Sequence, residues 1–358
     1  MDSPSFAIIF TWPASFNAER EVILRVQKAA EECGYKCYVI DNYGYQLDDN
    51  MEVTSTKVPK VDFIISIHFL SPKYLDAFYY YTIWNPPEFT LDYEEFFTSD
   101  VYPLFDDYLL ANKKGASLHH LQTLLSAKPR DLKQAHVFAP SVSDGAVIAP
   151  AITKISKLSI FYCGVNWDIL VDGKGRNEGL MKLLDRQGVM KYFGPNDNWG
   201  KHPWAGYECY QREIPFDGIS VPQEIHKCGI CLALSSDAHR RTGIATNRIF
   251  EACAAGAVII SDDNFMVREM FGDAVLYIDY NRNDVKDTCR QILEQYDWII
   301  NHREDAQKLA EKAQQIFREK YSLNLYLMNL VNHHSDRVET IAHDLYAMDD
   351  SGIVNSFV

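Results

Sequence analysis

The chain has 358 residues, beyond the roughly 250–300 at which one hydrophobic core stops growing, so two domains are expected. Hydrophobic residues make up 47% and aromatics 13%, enough for two packed cores and against large-scale disorder. A net charge of −14 excludes a general nucleic-acid binder, which needs a basic face, and gives no overall attraction to anionic lipid.

The opening Met-Asp-Ser-Pro-Ser lacks the basic and apolar regions of a signal peptide. No apolar run approaches the ~20 residues that span a bilayer, so a cytosolic location is expected. Residues 6–10 read as a strand, about 17–33 as a helix ended by Gly34, and 36–41 as the next strand. Such a strand–helix–strand start favours a parallel sheet. Further strands are expected at 62–68, 79–84 and 108–112, with acid- and aromatic-rich loop and helix over 93–110. Residues 138–156, with small side chains and Pro140 and Pro150, read as the exit from the first domain and the linker.

The second domain opens with a strand at 158–163, followed by a helix near 177–187 and a strand at 191–194. A loop rich in Gly, Pro and Trp runs to Gly206; its Trp199, Trp204 and Tyr207 either close over a ligand or pack the loop. A turn at 215–218, a helix at 222–227, and strands at 230–234 and 274–278 follow. Residues 283–333 read as mostly helical, packed through Ala306, Leu309, Ala310, Ala313, Ile316 and Phe317. Eight cysteines are thinly spread; Cys228-Gly-Ile-Cys231 has redox or zinc-like spacing but runs into an apolar strand, so core thiols are expected.

The most informative stretch is 245–262. Thr246 suits a helix N-cap through its hydroxyl, and Asn247 and Glu251, four apart, share one face. Ile249, Phe250, Cys253 and Ala254 form the packing face, Gly256 suits a left-handed C-terminal cap, and 257–260 reads as a strand buried on both sides. A helix N-terminus after a loop attracts phosphate, and a carboxylate one turn further in reaches sugar hydroxyls. Elsewhere, His68 ends an apolar strand at a sheet edge, either as a satisfied histidine under a loop or as an acceptor contact or general base. Arg240 and Arg241 precede the helix as surface charge or phosphate partners; Lys174 and Arg176 are either a solvated turn or phosphate-neutralising cations.

Two Rossmann-like halves with a polar helix–Gly–strand motif late in the second resemble the GT-B glycosyltransferases. The residues carrying the resemblance are Phe161-Tyr-Cys-Gly-Val-Asn-Trp167, Glu213-Ile-Pro-Phe-Asp-Gly218, Cys231-Leu-Ala-Leu-Ser-Ser236 and Asn247-Arg-Ile-Phe-Glu251. They look most like family-4-type and capsule or lipopolysaccharide enzymes. The resemblance implies an α/β fold of two Rossmann-like domains facing a central cleft. Residues 1–150 would form the acceptor side and 151–330 the donor side, with 331–358 returning to the first domain.

It further implies that Glu251 binds the nucleotide's ribose and that Thr246 and Asn247 begin the helix facing the phosphates. Arg212, Glu213 and Ile214 would frame the base, with Ser236 and the residues after it near the donor sugar. Many family-4-type enzymes carry a second glutamate eight residues earlier, where this chain has Gly243; Asp237 and His239 are the nearby substitutes, and which of them serves is open. The resemblance implies metal-independent transfer with retention at the anomeric carbon: a sugar moves from a nucleotide-sugar to a glycan or lipid-linked acceptor. No cofactor or nucleic acid takes part, and a membrane surface or partner protein is met at the acceptor. The rival readings are a nucleotide-sugar epimerase of the same fold and a catalytically inactive partner subunit.

Overall fold

The computed structural model describes residues 3–14, 18–68, 70–71, 73–86, 104–114, 132–164, 177–197 and 200–350, with the side chains of 178 and 344–350 left aside. Lys174, Arg176 and Trp199, singled out from the sequence, lie outside the described residues.

The first sheet holds β1 (Ser5–Ile9), β2 (Lys36–Ile40), β3 (Tyr45–Leu47), β4 (Val53–Lys57), β5 (Phe63–Ser66), β6 (Tyr79–Ile83), β7 (Asp107–Leu110) and β8 (His136–Val137). Their order is β4-β3-β2-β1-β5-β6-β7-β8. All pair in parallel except β3 and β4, which extend the edge as an antiparallel hairpin. The buried strands match the apolar runs seen in the sequence. The hairpin did not announce itself because β4 is Val-Thr-Ser-Thr-Lys and stays largely exposed. Its turns are held by carboxylates instead: Asp41 Oδ1 accepts the N–H of Tyr43 and Tyr45, and Asp48 Oδ1 those of Asn50 and Glu52.

The second sheet is wholly parallel: β9 (Ser159–Cys163), β10 (Met190–Phe193), β11 (Tyr210–Arg212), β12 (Gly229–Ala233), β13 (Val258–Asp262) and β14 (Leu276–Ile278). The order β11-β10-β9-β12-β13-β14 means that the chain winds outward from β9, then returns to its other side. The strand order reverses between β9 and β12, and in open α/β sheets ligands bind outside the carboxyl ends of the strands at such a point. The first sheet has the equivalent reversal between β1 and β5. The expected two Rossmann-like halves are therefore present.

The helices are α1 (Ala18–Glu32), α2 (Glu178–Asp185), α3 (Ser220–Cys228), α4 (Asp237–Thr242), α5 (Asn247–Ala254), α6 (Phe265–Phe271), α7 (Val285–Asn301), α8 (Arg303–Lys320) and α9 (Leu323–Asp350). The C-terminal helical region thus breaks at His302 and Tyr321. Ala306, Ala310, Ala313 and Phe317 form the buried stripe of α8, and Gln314 donates to the carbonyls of Ile148, Cys253 and Ala254. The last helix packs on α1 and β8. There Arg337 grips the buried Asp107 with two hydrogen bonds of 2.6 and 2.9 Å.

Trp204 and Tyr207 pack the loop: both are buried, and Trp204 stacks on Tyr192 at 5.1 Å. Cys228, Cys231, Cys253 and Cys289 are buried thiols, as expected of core cysteines. Among the described residues no helix is long and apolar enough to cross a membrane.

At the end of α5 the N–H of Gly256 reaches Cys253 O and that of Ala257 reaches Ala252 O, the paired bonds of a Schellman cap. Gly256 has φ +63°, and a Cβ there would lie 2.7 Å from both Ile148 O and Pro150 N. Strain and backbone collision act together, so Gly256→Ala is predicted to lose more than about 1 kcal/mol in urea unfolding. A variant as stable as the parent would show that this cap is relaxed.

Candidate active site

The reversal in the second sheet is framed by the residues following β12. Ser236 caps α4, its Oγ accepting the N–H of His239 at 3.1 Å and lying 2.7 Å from His239 Nδ1. Beneath it Asp262, fully buried at the end of β13, accepts Ser235 N at 2.9 Å and Arg240 Nη1 at 2.7 Å. Arg240 also bonds Ser235 O, pairs with Asp237 and lies over the Tyr280 ring. Asp237 is further paired with Arg282 at 3.1 Å. Burial alone would raise its pKa, but the two arginines hold it below the usual carboxylate value. Asp262 is thus a strut for the loop.

Thr246 occupies the N-cap of α5 with extended backbone, but its side chain makes no capping bond, contrary to expectation. Its hydroxyl caps none of the first-turn amides of α5, of which the Ile249 N–H donates instead to Thr246 O at 3.1 Å. Asn247 follows on the half-buried side, whereas Ile249, Phe250, Cys253 and Ala254 are buried as their spacing required. Arg241 is exposed. Arg212 and Glu213 are exposed at the end of β11, where Arg212 pairs with Glu224 at 2.8 Å; Ile214 turns its side chain into the core.

Glu251 has a more elaborate setting. Its Oε1 receives Arg25 Nη2 at 2.6 Å, a hydrogen bond from α1 to α5 that joins residues 226 apart. The same Arg25 nitrogen is 2.6 Å from Glu21 Oε1, and Glu21 Oε2 accepts Gly218 N at 2.9 Å. Glu251 Oε2 is 2.6 Å from Arg248 Nη1 as an ion pair, yet makes no hydrogen bond. Arg248 in turn donates to Cys163 O at the end of β9 and lies over Phe161. Two acids and two arginines therefore neutralise one another in a buried cluster. Burial pushes Glu251 up, but Arg248 and Arg25 outweigh it and hold its pKa low. For Glu21 burial wins, and its pKa is raised. Arg25 was not singled out by the sequence; its signal is a charge inside the apolar stripe Val22, Val26, Ala29 of α1.

Gly243 explains the absent glutamate. It ends α4 at φ +68°, where a Cβ would fall 2.2 Å from the Phe265 ring, and its carbonyl accepts Asn112 Nδ2 at 2.6 Å. A side chain at this position meets both a left-handed backbone and an occupied space.

At the reversal of the first sheet, Trp12 meets His68 edge-on at 4.4 Å, and Thr11 Oγ1 lies 2.6 Å from Ser71 Oγ. The N–H of Leu70 donates to His68 Nδ1 at 3.1 Å, so the neutral ring carries its proton on Nε2. Burial lowers the His68 pKa to about 4, which keeps it neutral near pH 7. The ring is therefore suited to donate a hydrogen bond rather than to take a proton. Among the described residues no three His, Cys, Asp or Glu side chains gather as a metal-ligand set.

Two outcomes follow from this geometry. Arg25→Met and Glu251→Gln should each destabilise by about 3–5 kcal/mol, since each strands a buried charge, while the double variant costs less than their sum. Additive losses in urea unfolding would deny the coupling. In the second case, the pKa of His68 and that of His136 are both lowered from 6.5 to about 4 by burial, with positive neighbours adding to the shift at His136. Between those values the unfolded chain binds protons that the folded chain refuses. Stability should be level above pH 6.5 and fall as the pH drops towards 4, with His68→Gln reducing the slope of the urea midpoint against pH.

Residues 176–332 match the family described as glycosyl transferase-like, a region that includes five of the six strands of the second sheet. No curated protein matches the sequence. Among solved structures, the fold is similar to sucrose-phosphate synthase from Thermosynechococcus elongatus, with a TM-score of 0.60 and 9% identity, covering 94% of this chain and 100% of that one. It is also similar to HepE of Anabaena in complex with UDP-glucose, with a TM-score of 0.58, 10% identity and coverage of 93% and 99%. A third likeness, with a TM-score of 0.51, 12% identity and coverage of 94% and 98%, is to a Listeria monocytogenes protein that bears the name of a UDP-N-acetylglucosamine 2-epimerase. With two largely parallel sheets, each reversing its strand order, and a glycosyl transferase-like region across most of the second, the chain has the two-Rossmann-domain fold of these structures.

Proposed function

We propose that the chain moves a sugar from a nucleotide-sugar to a hydroxyl of a glycan or lipid-linked acceptor, without a metal and with retention at the anomeric carbon, in the cytoplasm. The observation that carries this reading is the glycosyl transferase-like region itself, residues 176–332, with Glu251 and the start of α5 beside the strand reversal of the second sheet. Glu251 is the carboxylate assigned to the ribose hydroxyls, its charge already balanced by Arg25 and Arg248. The start of α5 offers backbone amides to phosphate, and Arg241, Lys174 and Arg176 are the cations assigned to it. Ser236, Thr246 and Asn247 line the same approach, while Arg212, Glu213 and Ile214 border the base.

In the reaction the acceptor oxygen bonds to the anomeric carbon as the bond from that carbon to phosphate oxygen breaks. The acceptor proton passes to the departing phosphate, whose charge the amides and cations stabilise. His68 donates from Nε2 to orient the acceptor. Asp237 and His239 hold the loop on the donor side, in the role left open by Gly243.

The HepE likeness makes UDP the first nucleotide to test. A ligand at one hundred times its dissociation constant adds about 2.7 kcal/mol of stability. Melting curves with UDP, GDP, dTDP, ADP and CMP are expected to show one clear upward shift, lost in Glu251→Gln at a temperature where that variant is folded. No shift with any nucleotide would overturn the reading and leave the inactive partner. The likeness to a 2-epimerase-named protein supports a second reading. Release of UDP from UDP-N-acetylglucosamine with no acceptor, together with an epimerised sugar, would favour it over transfer.

A further inference from the structure

The first sheet carries a feature that the donor side does not use. Tyr43 and Tyr74 stack with ring centroids 5.4 Å apart, yet they are 60% and 58% exposed. Tyr43 follows β2 and Tyr74 follows β5, with β1 between those strands. The chain after β5 folds across the end of β1, where Ser71 meets Thr11, and reaches the turn after β2, where Leu75 packs against Gly44. The Trp12–His68 pair and the Tyr43–Tyr74 pair therefore stand along one carboxyl-end rim.

The tyrosines are held outward by a stiff frame. Asp41 Oδ1 accepts the N–H of Tyr43 and of Tyr45, and Lys57 Nζ donates to Tyr43 O at 2.7 Å. Gly44 has φ +81°, and a Cβ there would lie 2.8 Å from Leu75, so the turn is fixed closely against the facing loop. Nearby cations are engaged: Lys57 also lies 3.5 Å from the Tyr45 ring centroid, and Lys73 pairs with Asp106 at 2.5 Å. A phosphate would find no uncommitted charge in this pair of lysines. A sugar ring has an apolar C–H face and a hydroxyl edge, which suits a fixed aromatic face with its phenol oxygen in water.

We infer that Tyr43 and Tyr74 form an outer saccharide subsite, which binds a neutral part of an elongated glycan acceptor while its reacting end lies by Trp12 and His68. This deepens the proposed transferase reading and rests on it for the direction of the chain. The subsite predicts that affinity rises with acceptor length, because only a longer saccharide spans both aromatic pairs.

The test uses the full chain, an array of neutral and uronic-acid-bearing oligosaccharides of increasing length, and phosphatidylglycerol vesicles. The parent protein should retain the longer neutral saccharides. Tyr43→Ala/Tyr74→Ala should weaken that binding about tenfold, Tyr43→Phe/Tyr74→Phe should restore most of it, and the UDP melting shift should be equal in all three. Equal saccharide binding in the alanine pair would overturn the subsite. So would retention of no saccharide by a protein that binds UDP, or tyrosine-dependent retention on vesicles alone. Tyrosine-dependent saccharide binding without any nucleotide shift would uphold the subsite and remove the transferase reading.

Discussion

The contact between Arg25 and Glu251 is the constraint around which the two halves are arranged. Arg25 is 1% exposed and would be an intolerable charge in α1 without its two carboxylates. One of those comes from its own helix and the other from α5, beneath the second sheet's reversal point. The turn at Gly218 closes the cluster through its amide, and Arg248 ties it to the end of β9. A ligand group that displaces Arg25 from Glu251 must compensate both charges, so the cluster favours polar ligands that add hydrogen bonds while leaving the ion pair intact.

Much of the fold was legible because its strands are buried. Runs such as Val258-Ile-Ile-Ser-Asp262 offer no alternative to a parallel central position. The hairpin at β3 and β4 was illegible for the opposite reason: its strands face water and its register is set by Asp41 and Asp48, not by an apolar face. The breaks at His302 and Tyr321 also escaped notice, since neither glycine nor proline marks them. The site divides in the same way. The burial of Ile249, Phe250, Cys253 and Ala254 was written in local spacing, whereas Arg25 meets Glu251 across 226 positions. The missing glutamate was visible as Gly243, but its cause, a left-handed turn against Phe265, needed three dimensions.

Side-chain amides recur where the elements meet. Asn112 holds Gly243, Asn264 holds the carbonyl of Ile244 and the hydroxyl of Ser235, and Gln314 gathers three carbonyls near the end of α5. These groups add donors to oxygens at loops and helix ends, and they do so without adding charge to the core. The buried arginines Arg25 and Arg337 each face a carboxylate. The loop after β12 is consequently fixed by two kinds of bond: ionic ones at Asp262 and neutral ones at Asn264.

The grip of Arg337 on Asp107 has a consequence for the order in which the molecule is made. Asp107 lies in β7 and is fully buried, and its counter-ion is encoded 230 positions later. While the ribosome adds residues at about 5–20 per second, the early sheet waits with that carboxylate unmatched. Its neighbours share the delay, because Tyr80 meets His334 and Val142 receives the amide of Leu323. The half synthesised first is thus completed last, and the second half is free to mature on the nascent chain before it.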